Sequence, residues 1–99
     1  MLETLTIDSF EPHVGSSFWA YPDPQNRVEL RLVKVTKVME NAAAQLERTP
    51  FMLHFVGPGS LLLEQRTYRM EHEAFGPMPM FLVPVEGDAG GYLYEAIFT

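Results

Sequence analysis

From Arg27 to Val38 the chain reads RVELRLVKVTKV, with apolar residues alternating with charged or polar ones. Val28, Leu30 and Leu32 fall on one face of a strand, and Arg27, Glu29 and Arg31 on the other, because successive strand side chains point to opposite sides. The alternation then slips at Leu32-Val33. Beyond it Val33 and Val35 carry the apolar face, while Lys34 and Thr36 point the opposite way. A shift of one residue sends every later side chain of a strand to the wrong side of its sheet. The pattern therefore predicts a bulge or sharp coil near Leu32 to Lys34, which restores inward pointing at the expense of a local ladder bond. A strongly coiled sheet or small barrel follows, rather than a flat open sheet.

The flanking segments read in the same way. Asp8 or Ser9 is placed to cap a single helical turn ending at Gly15, with Glu11 at capping-box spacing from Asp8 and Pro12 in the first turn. Phe10 and Val14, four apart, would share the inward side of such a turn. Residues 2–7 are either a short strand or a lead-in. Ser16 to Tyr21 reads as a strand with Phe18 and Ala20 opposed to Trp19 and Tyr21, and Pro22 to Asn26 as the turn into the central run.

After Val38, the stretch MENAAAQLERTP has good helix formers but no apolar stripe, which suggests an exposed connection with a short helix over Asn41 to Arg48. Phe51, Leu53 and Phe55 mark one face of the next strand. Tyr68, Met70 and His72 mark another, Met80 to Val85 a further one, and Tyr92, Tyr94, Ala96 and Phe98 the last. Gly57-Pro58-Gly59, Gly76-Pro77 and the run Glu86 to Gly91 punctuate them as turns. The reading is all-β: one domain over residues 1–99, an antiparallel barrel or coiled sheet of six to seven strands with one short N-terminal helical turn.

Composition narrows what such a domain can do. The 99 residues contain no cysteine, which excludes disulfides and thiolate chemistry. Thirteen acidic residues against seven basic ones give a net charge of −6, so binding to a nucleic-acid backbone is disfavoured. MLETLTIDSF lacks the basic region and apolar stretch of a signal peptide, and no apolar run approaches a membrane span. A cytoplasmic protein without membrane contact is the expectation.

Three sets of residues carry candidate chemistry. His54, His72, Glu71 and Glu73 are metal-ligand types, but Glu71 and His72 are adjacent and point to opposite faces of a strand, so only alternate residues can converge. His13 with Asp8 or Glu11 has the composition of an acid–base pair, though spacing gives neither reach to a substrate nor a shifted pKa. No nucleophile elbow, P-loop or dinucleotide fingerprint occurs, and no cofactor is implied. The third set is a binding surface on GPMPMF and the strand after it, formed by Met78, Met80, Phe81 and Pro84. Methionines adapt to varied partners, and a proline-bearing strand belongs at a sheet edge, where a partner strand can add.

Several stretches together resemble a family of uncharacterised bacterial β proteins of this length with an F-x-x-x-x-G-x-x-F entry motif, here Phe10 to Phe18 with Gly15 at its centre. VELRL from Val28, PFMLHF from Pro50, QRTYRMEH from Gln65, FLVPV from Phe81 and YEAIF from Tyr94 extend the resemblance along nearly the whole chain. It implies a structural role for the matched residues, with Gly15 in a tight turn and the aromatics in the core. It also implies no established activity, and some members are encoded beside phage-tail-collar-like fibre proteins. The expected function is a non-enzymatic interaction or assembly protein whose partner is another protein. The alternatives are a ligand-binding barrel or small enzyme using His13, His54 and His72, and a structural homodimer joined through edge strands.

Overall fold

The slip in the central run is a corner of a closed barrel. The computed structural model describes residues 5–38, 50–88 and 90–98. Among them are a helical turn α1 (Ile7–Phe10), a 3-10 turn (Glu11–His13) and six strands. The strands are β1 (Ser17–Asp23), β2 (Asn26–Lys37), β3 (Phe51–Gly57), β4 (Arg66–His72), β5 (Gly76–Asp88) and β6 (Gly91–Phe98). All neighbours are antiparallel, and the order around the barrel is β1-β2-β3-β6-β5-β4.

The two long strands each serve two halves of the barrel. The first part of β2 pairs with β1, from Asn26 with Asp23 to Arg31 with Ser17, and the second part pairs with β3, from Arg31 with Val56 to Lys37 with Phe51. In β5, Gly76 to Leu82 pair with β4, and Val83 to Asp88 pair with β6. Strands that pass from one sheet to another at a corner do so through bends and bulges. In β2 the register shifts between Leu32 and Lys34, where the alternation slips; in β5 it shifts between Pro84 and Glu86. Val33 is the extruded residue, 40% exposed, so of the two valines expected inside only Val35 packs against the core.

The prolines of β5 suit this arrangement. Backbone donors of alternate strand residues point to opposite edges, so Pro77 and Pro79 lack donors toward one edge and Pro84 toward the other. Pro77 and Pro79 lie where β5 pairs with β4, and Pro84 where it pairs with β6. Each can therefore sit in a ladder that does not need the missing N–H.

Inward-facing residues fill the interior as their alternation dictates: Phe18 and Ala20, then Val28, Leu30 and Leu32, then Phe51, Leu53 and Phe55, and Tyr68 and Met70. Tyr94, Ala96 and Phe98 complete the closing strand's inner face, with Tyr92 partly buried. The N-terminal turn plugs one end. Phe10 is fully buried there, its ring 4.7 Å from Phe75, 5.4 Å from Phe98 and 5.7 Å from Phe51 between centroids. Its cap lies earlier than Asp8, at Thr6, whose N–H donates to Ser9 Oγ at 3.0 Å. Val14 does not join Phe10, because the chain leaves the helical turn at His13 and Val14 stands half-exposed. Gly15 follows with φ +96°, the left-handed conformation that makes a glycine necessary at this turn.

The connection from Pro58 to Gln65 closes over the other part of the barrel through Leu63. Leu63 is buried, and its N–H donates to the hydroxyl of Tyr94 at 2.9 Å. Several boundaries differ from the sequence expectation. Ladder pairing carries β1 on to Asp23, starts β5 directly at Gly76, and extends the last hairpin to the pair Asp88–Gly91. Leu5 and Thr6 form no strand. The helix expected over Asn41 to Arg48 lies outside the described residues.

Candidate functional site

Closure of the barrel removes the basis for a methionine surface. Met78 faces Met70 and Met80 faces Tyr68 across the β4–β5 ladder, and both point inward, 8% and 3% exposed. Phe81 lies on the outer face, 49% exposed, opposite Thr67. Pro84 is half-buried opposite Tyr94, beside the second bulge. The segment is thus a corner strand of a closed barrel, and only Phe81 offers the expected contact surface. Period-two parity puts Met78 and Met80 on the side of Leu82, which a six-strand closure makes the inside.

The histidines do not converge as a set. His54 stands on the outer side of β3, its Nε2 3.0 Å from Thr36 Oγ1 and its Nδ1 3.7 Å from a Glu95 oxygen. Glu71 also faces outward, where it accepts a bond from the Tyr21 hydroxyl at 3.1 Å and pairs with Arg69. His72 points inward, so the four-residue metal set is divided between the two faces of the barrel wall. Among the described residues, no group of three or more histidine or acidic side chains is placed to hold a metal ion.

His13 and His72 do meet, with ring centroids 4.9 Å apart edge to face, and both pack on Phe75. The bonds around His72 define its state. The Ala74 N–H donates to Nδ1 at 2.9 Å, so the neutral ring carries its proton on Nε2 and donates to Ser16 Oγ, also at 2.9 Å. Ser16 in turn donates to the His13 carbonyl at 2.5 Å. This direction is opposite to that of a base activating a serine, where the imidazole accepts the hydroxyl proton. Burial is the main cause that lowers the pKa of His72, with the neighbouring His13 acting in the same direction. The cluster fastens the N-terminal turn to the barrel end.

A concavity lies elsewhere, along the first half of β2. It is a groove of 680 Å³ between that strand and the connection after β3, with Val28, Gly57, Pro58 and Leu61 among its lining residues and Arg27 and Arg31 at its border. A second concavity of 510 Å³ continues it, sharing Arg27, Val28 and Leu61. No histidine lines either one.

The backbone explains why the groove is there. Leu32 bonds toward β1 through both of its main-chain groups, to Ser16 O at 3.0 Å and from Gly15 N at 2.7 Å. By alternation, the main-chain groups of Arg31, Glu29 and Arg27 point the other way. Arg31 meets Val56 of β3, and there the pairing ends. Glu29 and Arg27 direct their N–H and C=O groups into the groove with no strand beside them among the described residues. Gly57 sits under this edge: an added Cβ would come within 2.6 Å of Leu30 Cδ2 and 3.9 Å of the Glu29 carbonyl oxygen.

Charge accompanies the open edge. Arg27, Arg31, Lys34 and Lys37 make up four of the seven basic residues of the chain, all on β2. Arg27 lies over the Trp19 ring, 4.0 Å from its centroid, and the Ser17 hydroxyl donates to the Glu29 carboxylate. Arg31, Lys34 and Lys37 have no ion-pair partner among the described residues. The sequence does contain these cations, but their significance depends on the open edge, which period-two reading cannot locate.

Among the described residues no helix is long and apolar enough to cross a membrane. Neither the curated proteins nor the solved structures hold a match to the chain. A family model covers residues 5–98, from the lead-in to the helical turn through to the end of β6. The chain belongs to the DUF6916 family, a domain of unknown function.

Proposed function

We propose that this domain is a non-enzymatic interaction module, and that it takes up an extended segment of a partner protein along the open edge of β2. The observation that carries the proposal is the pair of main-chain sites at Arg27 and Glu29, turned into a 680 Å³ groove with no strand beside them among the described residues. An added strand supplies the missing ladder, and pockets along the edge read its side chains. Trp19 and Arg27, stacked on the outer face next to the groove, are residue types that anchor protein interfaces. The His72 bond directions, which leave Ser16 unactivated, support the non-enzymatic part of the reading.

The resemblance to proteins encoded beside phage-tail-collar-like fibres makes a fibre- or tail-like structural protein the first partner class to test. The experiment is affinity capture from the native cell extract with the wild-type protein and with Glu29→Pro, which removes a donor that the barrel does not use. Partner loss in a variant that keeps the wild-type circular dichroism supports strand addition. Equal capture by both proteins overturns it. A second surface centred on Phe81 is favoured by that ring's exposure on the outer face, and Phe81→Ser tests it in the same assay.

A further inference from the structure

We infer that the segment received by the β2 groove is acidic, its carboxylates drawn to the Arg27 and Arg31 guanidiniums that line the groove; this rests on the strand-addition reading above. On β2, Arg27 and Arg31 share one face and are separated by four residues, or about 13 Å of strand. Val56 fills the position beside Arg31, so an added strand lies along Arg27 and Glu29 alone; both guanidiniums nevertheless line the groove it would occupy, where carboxylates of the segment can meet them. Guanidinium pairs well with carboxylate through parallel N–H bonds. Glu29 lies between the arginines and already accepts from Ser17, so the position facing it calls for an uncharged residue. Leu61, exposed at the groove margin, and Val28 supply apolar contact for the alternate side chains.

The wider charge distribution sharpens the choice. The chain as a whole carries −6, while four of its seven basic residues lie on β2. An acidic segment is repelled by the general field and attracted along one strand, which fixes where it docks. The groove also presents main-chain donors and acceptors in alternation. A peptide edge complements both kinds, whereas a phosphate backbone offers acceptors alone. The occupant that fits is therefore an acidic peptide in extended form, not a nucleic acid.

Three fluorescein-labelled heptapeptides test this: acetyl-Val-Glu-Val-Thr-Val-Glu-Val-amide and its counterparts with Gln or Lys in place of Glu. Binding is read by anisotropy at low and high salt, and located by the amide shifts of Arg27 and Glu29 in nuclear magnetic resonance spectra. The acidic peptide is expected to bind at least about tenfold more tightly than the Gln peptide, with salt narrowing the gap. The Arg27→Glu/Arg31→Glu double variant, checked for an unchanged melting temperature, should reverse the preference toward the Lys peptide.

Equal binding of the Glu and Gln peptides, with the Arg27 and Glu29 amides shifting in both, overturns the acidic preference and leaves strand addition standing. If no peptide moves those amides, strand addition itself fails. Displacement of the acidic peptide by an oligothymidylate of similar length overturns the choice of a peptide. Growth of the scattering mass with protein concentration, blocked by the acidic peptide, identifies the segment as one from a second copy of this chain and supports the inference.

Discussion

Replacing Tyr94 with phenylalanine isolates one hydrogen bond that holds a wall of the groove. The ring stays, so no cavity opens, and only the hydroxyl that accepts from the Leu63 N–H at 2.9 Å is lost. Both residues are buried, so water does not readily replace the oxygen. A buried donor left without an acceptor costs about 1–3 kcal/mol. For a domain of this size, each kcal/mol lowers the melting temperature by about 4–8 °C. Tyr68→Phe is the matched control. Its hydroxyl donates to the Glu64 carbonyl at 2.6 Å, on an exposed residue where water can take over, and about 0.5–1 kcal/mol is expected. Urea unfolding of both variants gives the comparison, with an unchanged m-value showing that the denatured state is the same. Hydrogen exchange should show the Leu63 amide losing protection in Tyr94→Phe alone. Equal cost for the two variants, or a Leu63 amide as protected as before, would refute the reasoning.

Two further outcomes follow from the barrel end. The pKa of His72 is lowered in the folded protein, so between that lowered value and the ordinary 6.5 the unfolded chain binds the proton more readily. Stability from this group is fully present above pH 6.5 and is lost as pH falls through the window; His72→Gln should flatten the slope between pH 7.5 and 5 in denaturant titrations, and an unaltered slope would count against it. Phe10→Ala empties the centre of the aromatic plug and should cost about 3–5 kcal/mol, whereas Val14→Ala, on a half-exposed neighbour, should stay within about 0.5 kcal/mol by the same measurement.

The fold was legible wherever a side chain's position depends on parity alone. The phase slip at Leu32-Val33 fell where β2 turns its corner, and the inner faces of β1, β3, β4 and β6 matched their alternation. Parity also gave Met78 and Met80 a common side, but which side is inside depends on closure with β4 and β6, a long-range property. The proline-bearing strand read as an edge because a proline has no donor. In the barrel, that donor is absent from only one side of a strand that pairs on the other. The groove was invisible for a related reason: an open edge arises where β2 and β3 part at Gly57, and no local pattern marks that parting. Histidine spacing likewise could not show that His13 meets His72 through a turn and a strand far apart in sequence.

The two corner strands have a consequence for how the domain opens. β2 belongs to the half made with β1 and to the half made with β3, and β5 is shared in the same way between β4 and β6. Neither half can melt without stripping partners from the other. Unfolding should therefore run as a single all-or-none event, with core amides of β1 and β3 exchanging through the same global opening. Among the exceptions are the amides of Arg27 and Glu29, which point into the groove and exchange without waiting for it. They form a fixed template within an otherwise cooperative unit, so the added strand proposed above would meet an edge already in its bound shape.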